Sequence, residues 1–170
     1  MSNYKEIITK AVIGKGKKTT KEHLTLQTKE SIDNVLGCWV INHNFSGGVK
    51  NNNIIVDGTY DINIWYSYNN NTKTNVMINT FNYSDTMNVK LRENSKITNN
   101  SEIIVRSLNQ PSVIDVTNKD NIIDIVVEKI MGVEVIGDSV VKVSVTDDYD
   151  DYDEIIDTDN IEINEEYLKN

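Results

Sequence analysis

A chain of 170 residues is of single-domain size, enough for one core that buries roughly 70% of the surface its unfolded form exposes. Its net charge of −9 is concentrated at one end: residues 147–170 hold 11 of the 26 acidic groups and one of the 17 basic ones, leaving residues 1–146 near neutral at +1. A neutral body with an acidic end lacks the basic patch that displaces counterions from phosphates, which excludes nucleic acid as the expected partner.

Ile and Val are abundant, Ala11 is the sole alanine and Pro111 the sole proline, a composition that leans to strand. In chain order, the first predicted strand covers residues 6–13. Gly14-Lys15-Gly16-Lys17-Lys18-Thr19 follows as a solvated basic loop; it lacks the first glycine of a phosphate loop, because Ala11 stands at that position. Residues 29–34 have the makings of one short helical turn. A strand over 35–45 contains Cys38, Trp39 and His43. The strand over 54–68 carries the clearest period of two: Tyr60, Ile62, Ile64, Tyr66 and Tyr68 share one face, and Asp61, Asn63, Trp65 and Ser67 the other. Asn69, Asn70 and Asn71 then supply residues tolerant of the left-handed conformation for a turn into a strand over 74–83.

Further strands are predicted over 102–108, 113–116, 122–127, 131–136 and 140–145. Pro111 marks a break between the first two, and Gly137-Asp138 suits a two-residue hairpin turn between the last two. The segment Ile122–Val127 is apolar on both faces, as in a strand central to a two-layer structure or covered by another subunit. These patterns predict an all-β fold, an antiparallel β-sandwich or partly open barrel formed by residues 1–146. From Asp147 the sequence becomes Asp-Asp-Tyr-Asp-Asp-Tyr-Asp-Glu, which predicts a disordered acidic tail over 147–170. That tail nevertheless contains Tyr149, Tyr152, Ile155 and Ile156, apolar groups that a purely solvating segment does not need.

The inventory for chemistry is small. His23 and His43 are the only histidines and Cys38 the only cysteine, so neither a zinc site nor a disulfide framework is predicted. Cys38 lies in an apolar run, the setting of an inert buried thiol, and His43 reads as a hydrogen-bonded structural residue. The acidic run lacks the glycine and the terminal Glu of a calcium loop. No catalytic site, metal or cofactor is therefore expected. The absence of an apolar signal core or of 18 consecutive apolar residues points to a chain made in the cytosol without membrane insertion.

Trp65 is the residue with a functional alternative to packing. Packing of Trp65 and Tyr66 in the two layers of a sandwich is the favoured reading, ahead of a protein interface and of a sugar-stacking platform, and Asp61, Asn63 and Trp65 are candidates for inter-strand or inter-subunit packing. The sugar reading makes the chain a carbohydrate-binding β-sandwich module that uses Trp65 and neighbouring tyrosines.

Residues 60–68 together with Asn71-Thr72-Lys73-Thr74, the N-terminal Tyr4-Lys5-Glu6-Ile7-Ile8-Thr9-Lys10-Ala11-Val12 with Lys15-Gly16, and Leu36-Gly37-Cys38-Trp39-Val40-Ile41-Asn42-His43 closely resemble the CotE family of outer spore coat morphogenetic proteins of endospore-forming bacteria. Gln110-Pro111 and the acidic tail fall in the matching order. The resemblance implies a non-enzymatic scaffold that is made in the mother-cell cytoplasm and then resides in the outer spore coat. It also implies a homo-oligomer whose body self-associates and whose tail binds other spore coat proteins. Tyr149, Tyr152, Ile155 and Ile156 are the expected anchors of that tail.

Overall fold

The computed structural model describes residues 3–145, and Tyr149, Tyr152, Ile155 and Ile156 lie outside them. The described residues form seven strands: β1 (Asn3–Gln27), β2 (Ile32–Lys50), β3 (Asn53–Tyr68), β4 (Lys73–Met87), β5 (Lys90–Leu91), β6 (Glu102–Lys119) and β7 (Ile122–Val145). They build two sheets, one in the order β5-β1-β7-β6 and one in the order β2-β3-β4, which stay separate and do not close into a barrel. There is no helix among the described residues, hence none long and apolar enough to cross a membrane.

The chain divides into two compact units, one of which is residues 8–139. The described part of the other is residues 3–7 and 140–145, where Tyr4, Ile7, Val140, Val141 and Val143 are exposed and Lys142 pairs with Glu6 at 3.6 Å.

Within residues 8–139 one apolar cluster fills the space between the sheets. Strand β7 contributes Ile123, Ile125, Val127, Met131, Val133 and Val135, all at odd positions and all buried. Strand β3 answers with Ile54, Val56, Tyr60, Ile62, Ile64 and Tyr66 at even positions. Each such side chain contributes about 1.5–3 kcal/mol by leaving water, which explains why the period of two is kept over so long a run. Ile122 remains exposed, so only one face of the doubly apolar segment Ile122–Val127 packs fully into the core.

Asparagine makes the tight connections. Asn51 and Asn52, at φ 50° and 61°, join β2 to β3 as a two-residue turn closed by the pair Lys50 and Asn53, the geometry whose twist matches paired strands. Asn69, Asn70 and Asn71 all have φ between 55° and 60° and join β3 to β4 as the sequence predicts. Thr72 caps that turn by donating its hydroxyl to the Asn69 carbonyl at 2.6 Å.

Four local expectations are overturned. The basic segment 14–19 is not a loop but the middle of β1, and its glycines admit a neighbouring backbone: a Cβ on Gly16 would lie 2.2 Å from the Asn88 carbonyl oxygen. Residues 29–34 hold a bend and the start of β2 and no helical turn. Pro111 does not end a strand; it sits inside β6 where the register with β7 shifts between Asn109 and Ser112, on a sheet-edge strand where its missing N–H is tolerated. Gly137-Asp138 is not a hairpin but part of β7, where Gly137 makes room for Ile13, whose Cδ1 would be 2.6 Å from an added Cβ.

Candidate functional site

Two features stand out in residues 8–139, one on the outside of the three-stranded sheet and one between the sheets. The outer feature follows from the alternation of β3. With Tyr60, Ile62 and Ile64 turned inward, Asp61, Asn63 and Trp65 point outward. Register places Ile41 and Thr80 beside Asp61, Trp39 and Ile78 beside Asn63, and Gly37 and Val76 beside Trp65. Neighbours at this spacing touch across strands, so the three rows form one surface. It is apolar and open: Trp39 is 42% exposed, Trp65 43%, Val76 51% and Ile78 60%. Gly37 lets the Trp39 ring lie against the sheet, since an added Cβ would come within 2.8 Å of Trp39 Cζ3.

The Asp61 carboxylate on this face is already engaged. Asn42, at φ 55° beside a register shift in β2, donates to Asp61 Oδ2 at 2.8 Å, and the Thr80 hydroxyl donates to Asp61 Oδ1 at 2.6 Å. Those bonds, Thr80's first, hold the Asp61 carboxyl below the usual carboxylate range. Asn63 Oδ1 is buried with no hydrogen-bond partner among the described residues. The structure thus brings Asp61, Asn63 and Trp65 together on an outward face.

The inner feature was not predicted. Lys129 occupies a core position of β7, in phase with Val127 and Met131, and its side chain is 1% exposed. Its Nζ lies 2.6 Å from Glu22 Oε1 of β1, 3.2 Å from Asp85 Oδ2 of β4, and 4.0 Å from the centre of the Tyr83 ring. Lys18 reaches Asp85 Oδ1 at 3.2 Å, and Tyr60, fully buried, donates its hydroxyl to Glu22 Oε2. The Tyr83 ring covers Gly58, its cross-strand neighbour, and shares a 2.7 Å hydrogen bond with His43 Nε2. His43 Nδ1 is 3.0 Å from Gln110 Oε1; with Nδ1 donating there, Nε2 accepts from Tyr83. Lys18, at the exposed side, and the buried Lys129 balance the charges of Glu22 and Asp85, which is the condition for keeping Lys129 inside.

Burial governs the titrations around this cluster. It pushes the Tyr83 hydroxyl up to about 12 with help from Asp85 and Glu22, and raises Tyr60 well beyond the tyrosine range, reinforced by Glu22. Burial also lowers His43, against the Gln110 hydrogen bond and with a contribution from Lys129. His43 is therefore a neutral structural residue, in line with its sequence reading. Cys38 is partly buried and its thiol is pushed up to about 11 by desolvation, which leaves little thiolate at neutral pH.

One signal in the sequence could have located the inner cluster. Glu22, Asp85 and Lys129 each stand where the period of two calls for an apolar residue, Glu22 in phase with Leu24 and Leu26, and Asp85 with Tyr83 and Met87.

Residues 3–170 match the family model described as outer spore coat protein E (CotE). No curated protein and no solved structure gives a significant match.

Proposed function

The chain belongs to the outer spore coat protein E (CotE) family, and is thus a spore coat protein of the sporulation programme; from that premise we infer that it is a non-enzymatic scaffold that self-associates and recruits other outer coat proteins. The observation that carries this reading is the outward face of Trp39, Trp65, Val76 and Ile78, a contiguous apolar surface in a body of near-zero net charge. Surfaces of this kind, with aromatic anchors, are where proteins meet. A second copy is the occupant that fits, because an apolar face on a near-neutral body repels its own image little and β4 beside it is an unpaired sheet edge among the described residues. A sugar is a poorer fit: Asp61, the carboxylate on this face, is committed to Asn42 and Thr80 and so is not free to orient a glycan.

Residues 1–146 hold self-assembly in this account, and residues 147–170 hold partner binding, with Tyr149, Tyr152, Ile155 and Ile156 as anchors in an acidic setting that steers basic partners. Oligomerisation presents several tails together, so weak individual contacts add through an effective concentration of roughly millimolar. Synthesis takes place in the mother-cell cytoplasm, and assembly carries the protein to the outer coat. The test compares coat composition by mass spectrometry in spores carrying the full chain and the chain ending at 146. Loss of outer coat proteins with the truncated chain still on the spore is the expected result, and normal recruitment would overturn the assignment of the tail.

A further inference from the structure

Lys129, Glu22 and Asp85 form a constellation that a structural ion pair does not require. The lysine nitrogen is shut away from water between the sheets, one carboxylate lies 2.6 Å from it and another 3.2 Å. Asp85 Oδ2 is buried and, although within 3.2 Å of Nζ, has no hydrogen bond, so the nitrogen meets this carboxyl group off the direction in which it would donate well. Lys18 sits on the other oxygen, Oδ1, at 3.2 Å. Tyr60 fixes Glu22 through its second oxygen, and the Tyr83 ring closes one side.

We propose that the folded chain joins Lys129 Nζ to Asp85 Cγ in an intramolecular amide bond, with Glu22 carrying the protons. A proton moves from Lys129 to Asp85 Oδ2 by way of Glu22 Oε1, which lies 2.6 Å from the nitrogen. The free amine attacks Cγ, the new N–C bond forms, and the electron pair of the carbonyl moves onto Oδ1, where the Lys18 ammonium stabilises it. Glu22 takes a proton from the attached nitrogen and delivers it to the Oδ2 hydroxyl. The C–Oδ2 bond breaks, water leaves, the carbonyl reforms, and Glu22 ends as it began. One ammonium and one carboxylate become one amide and one water, with no oxidant or other reactant. The rate advantage comes from holding amine and acid together in the fold, where effective molarities reach roughly 10⁵–10⁸ M. The bond would tie β7 to β4, one strand from each sheet, and its formation does not depend on self-association.

The test is the intact mass of the purified full chain under denaturing conditions, followed by peptide mapping. The proposal predicts a mass lower than the sequence mass by one water, and a branched peptide in which the Lys129 segment is attached to the Asp85 segment. Lys129→Arg and Glu22→Gln should each return to their own full sequence mass. An unmodified mass for the folded wild-type chain overturns the proposal, and so does a water loss that maps to an aspartimide without a branched peptide. A bond that still forms in Glu22→Gln overturns the role given to Glu22. The wild-type mapping decides the main claim even where Lys129→Arg does not fold.

Discussion

Gly58→Ala probes the packing that organises the inner cluster. An added Cβ would stand 2.3 Å from Tyr83 Cζ and 2.4 Å from its hydroxyl oxygen, over an ångström inside ordinary contact, so the ring has to move. Moving it separates the hydroxyl from His43 Nε2, now at 2.7 Å, and the ring from Lys129, now 4.0 Å from its centre. A lost hydrogen bond of this kind costs about 1 kcal/mol, the cation–π contact about 1 kcal/mol, and the steric strain about 1–3 kcal/mol. Relief of the glycine's unfolded-state entropy offsets about 0.5–1 kcal/mol. The net loss is about 2–4.5 kcal/mol, or roughly 4–18 °C in Tm for a chain of this size. Urea and thermal unfolding of Gly58→Ala, Tyr83→Ala and the double variant complete the cycle. In the Tyr83→Ala background the alanine should cost nothing or stabilise, because the ring it strikes is gone. Equal costs in both backgrounds would refute the account of Gly58.

Trp65→Ser should leave unfolding free energy within about 1 kcal/mol of wild type, as befits a substitution outside the core. It should weaken self-association: covering the exposed part of the ring removes roughly 90 Å² from water, about 2 kcal/mol and roughly 30-fold in dissociation constant, measurable by sedimentation equilibrium. His43 is held below its ordinary 6.5, so the unfolded chain takes up its proton first. Its contribution to stability is complete above about 6.5 and is lost as pH falls below it; urea midpoints between pH 7.5 and 5 should drop, and His43→Phe should flatten that slope. Cys38, with its thiol raised from 9.0 to about 11, should react with iodoacetamide at pH 8 roughly 100-fold more slowly in the folded chain than in urea; equal rates would show the thiol to be free of the burial described.

The sheet β2-β3-β4 is the most legible part of the fold, because β3 and β4 alternate cleanly and its turns are written in asparagine. Strands β1, β6 and β7 were read as shorter pieces. In β7 the cause is Lys129, which breaks an apolar run in the sequence but not in space, where Glu22 and Asp85 neutralise it from strands far away in the chain. Gly137-Asp138 has the composition of a hairpin, and only the proximity of Ile13, a long-range contact, explains the glycine otherwise. Gly14 and Gly16 mislead in the same way, since the side chains and backbone they admit belong to residues 88–91. On the candidate site, alternation alone placed Asp61, Asn63 and Trp65 on one face. That Trp39, Val76 and Ile78 share it depends on register, and register in β2 passes through shifts at Val35/Gly37 and Ile41/Asn44 that no local pattern announces.

Residues 1–146 are proposed to assemble with copies of themselves, and to do so without the tail. Light scattering gives the molar mass of the full chain and of residues 1–146 side by side. The same oligomer is expected for both, with the mass per assembly lowered only by the missing tails. A monomer in both cases would contradict self-association, and an oligomer that falls apart on removing residues 147–170 would contradict its assignment to the body.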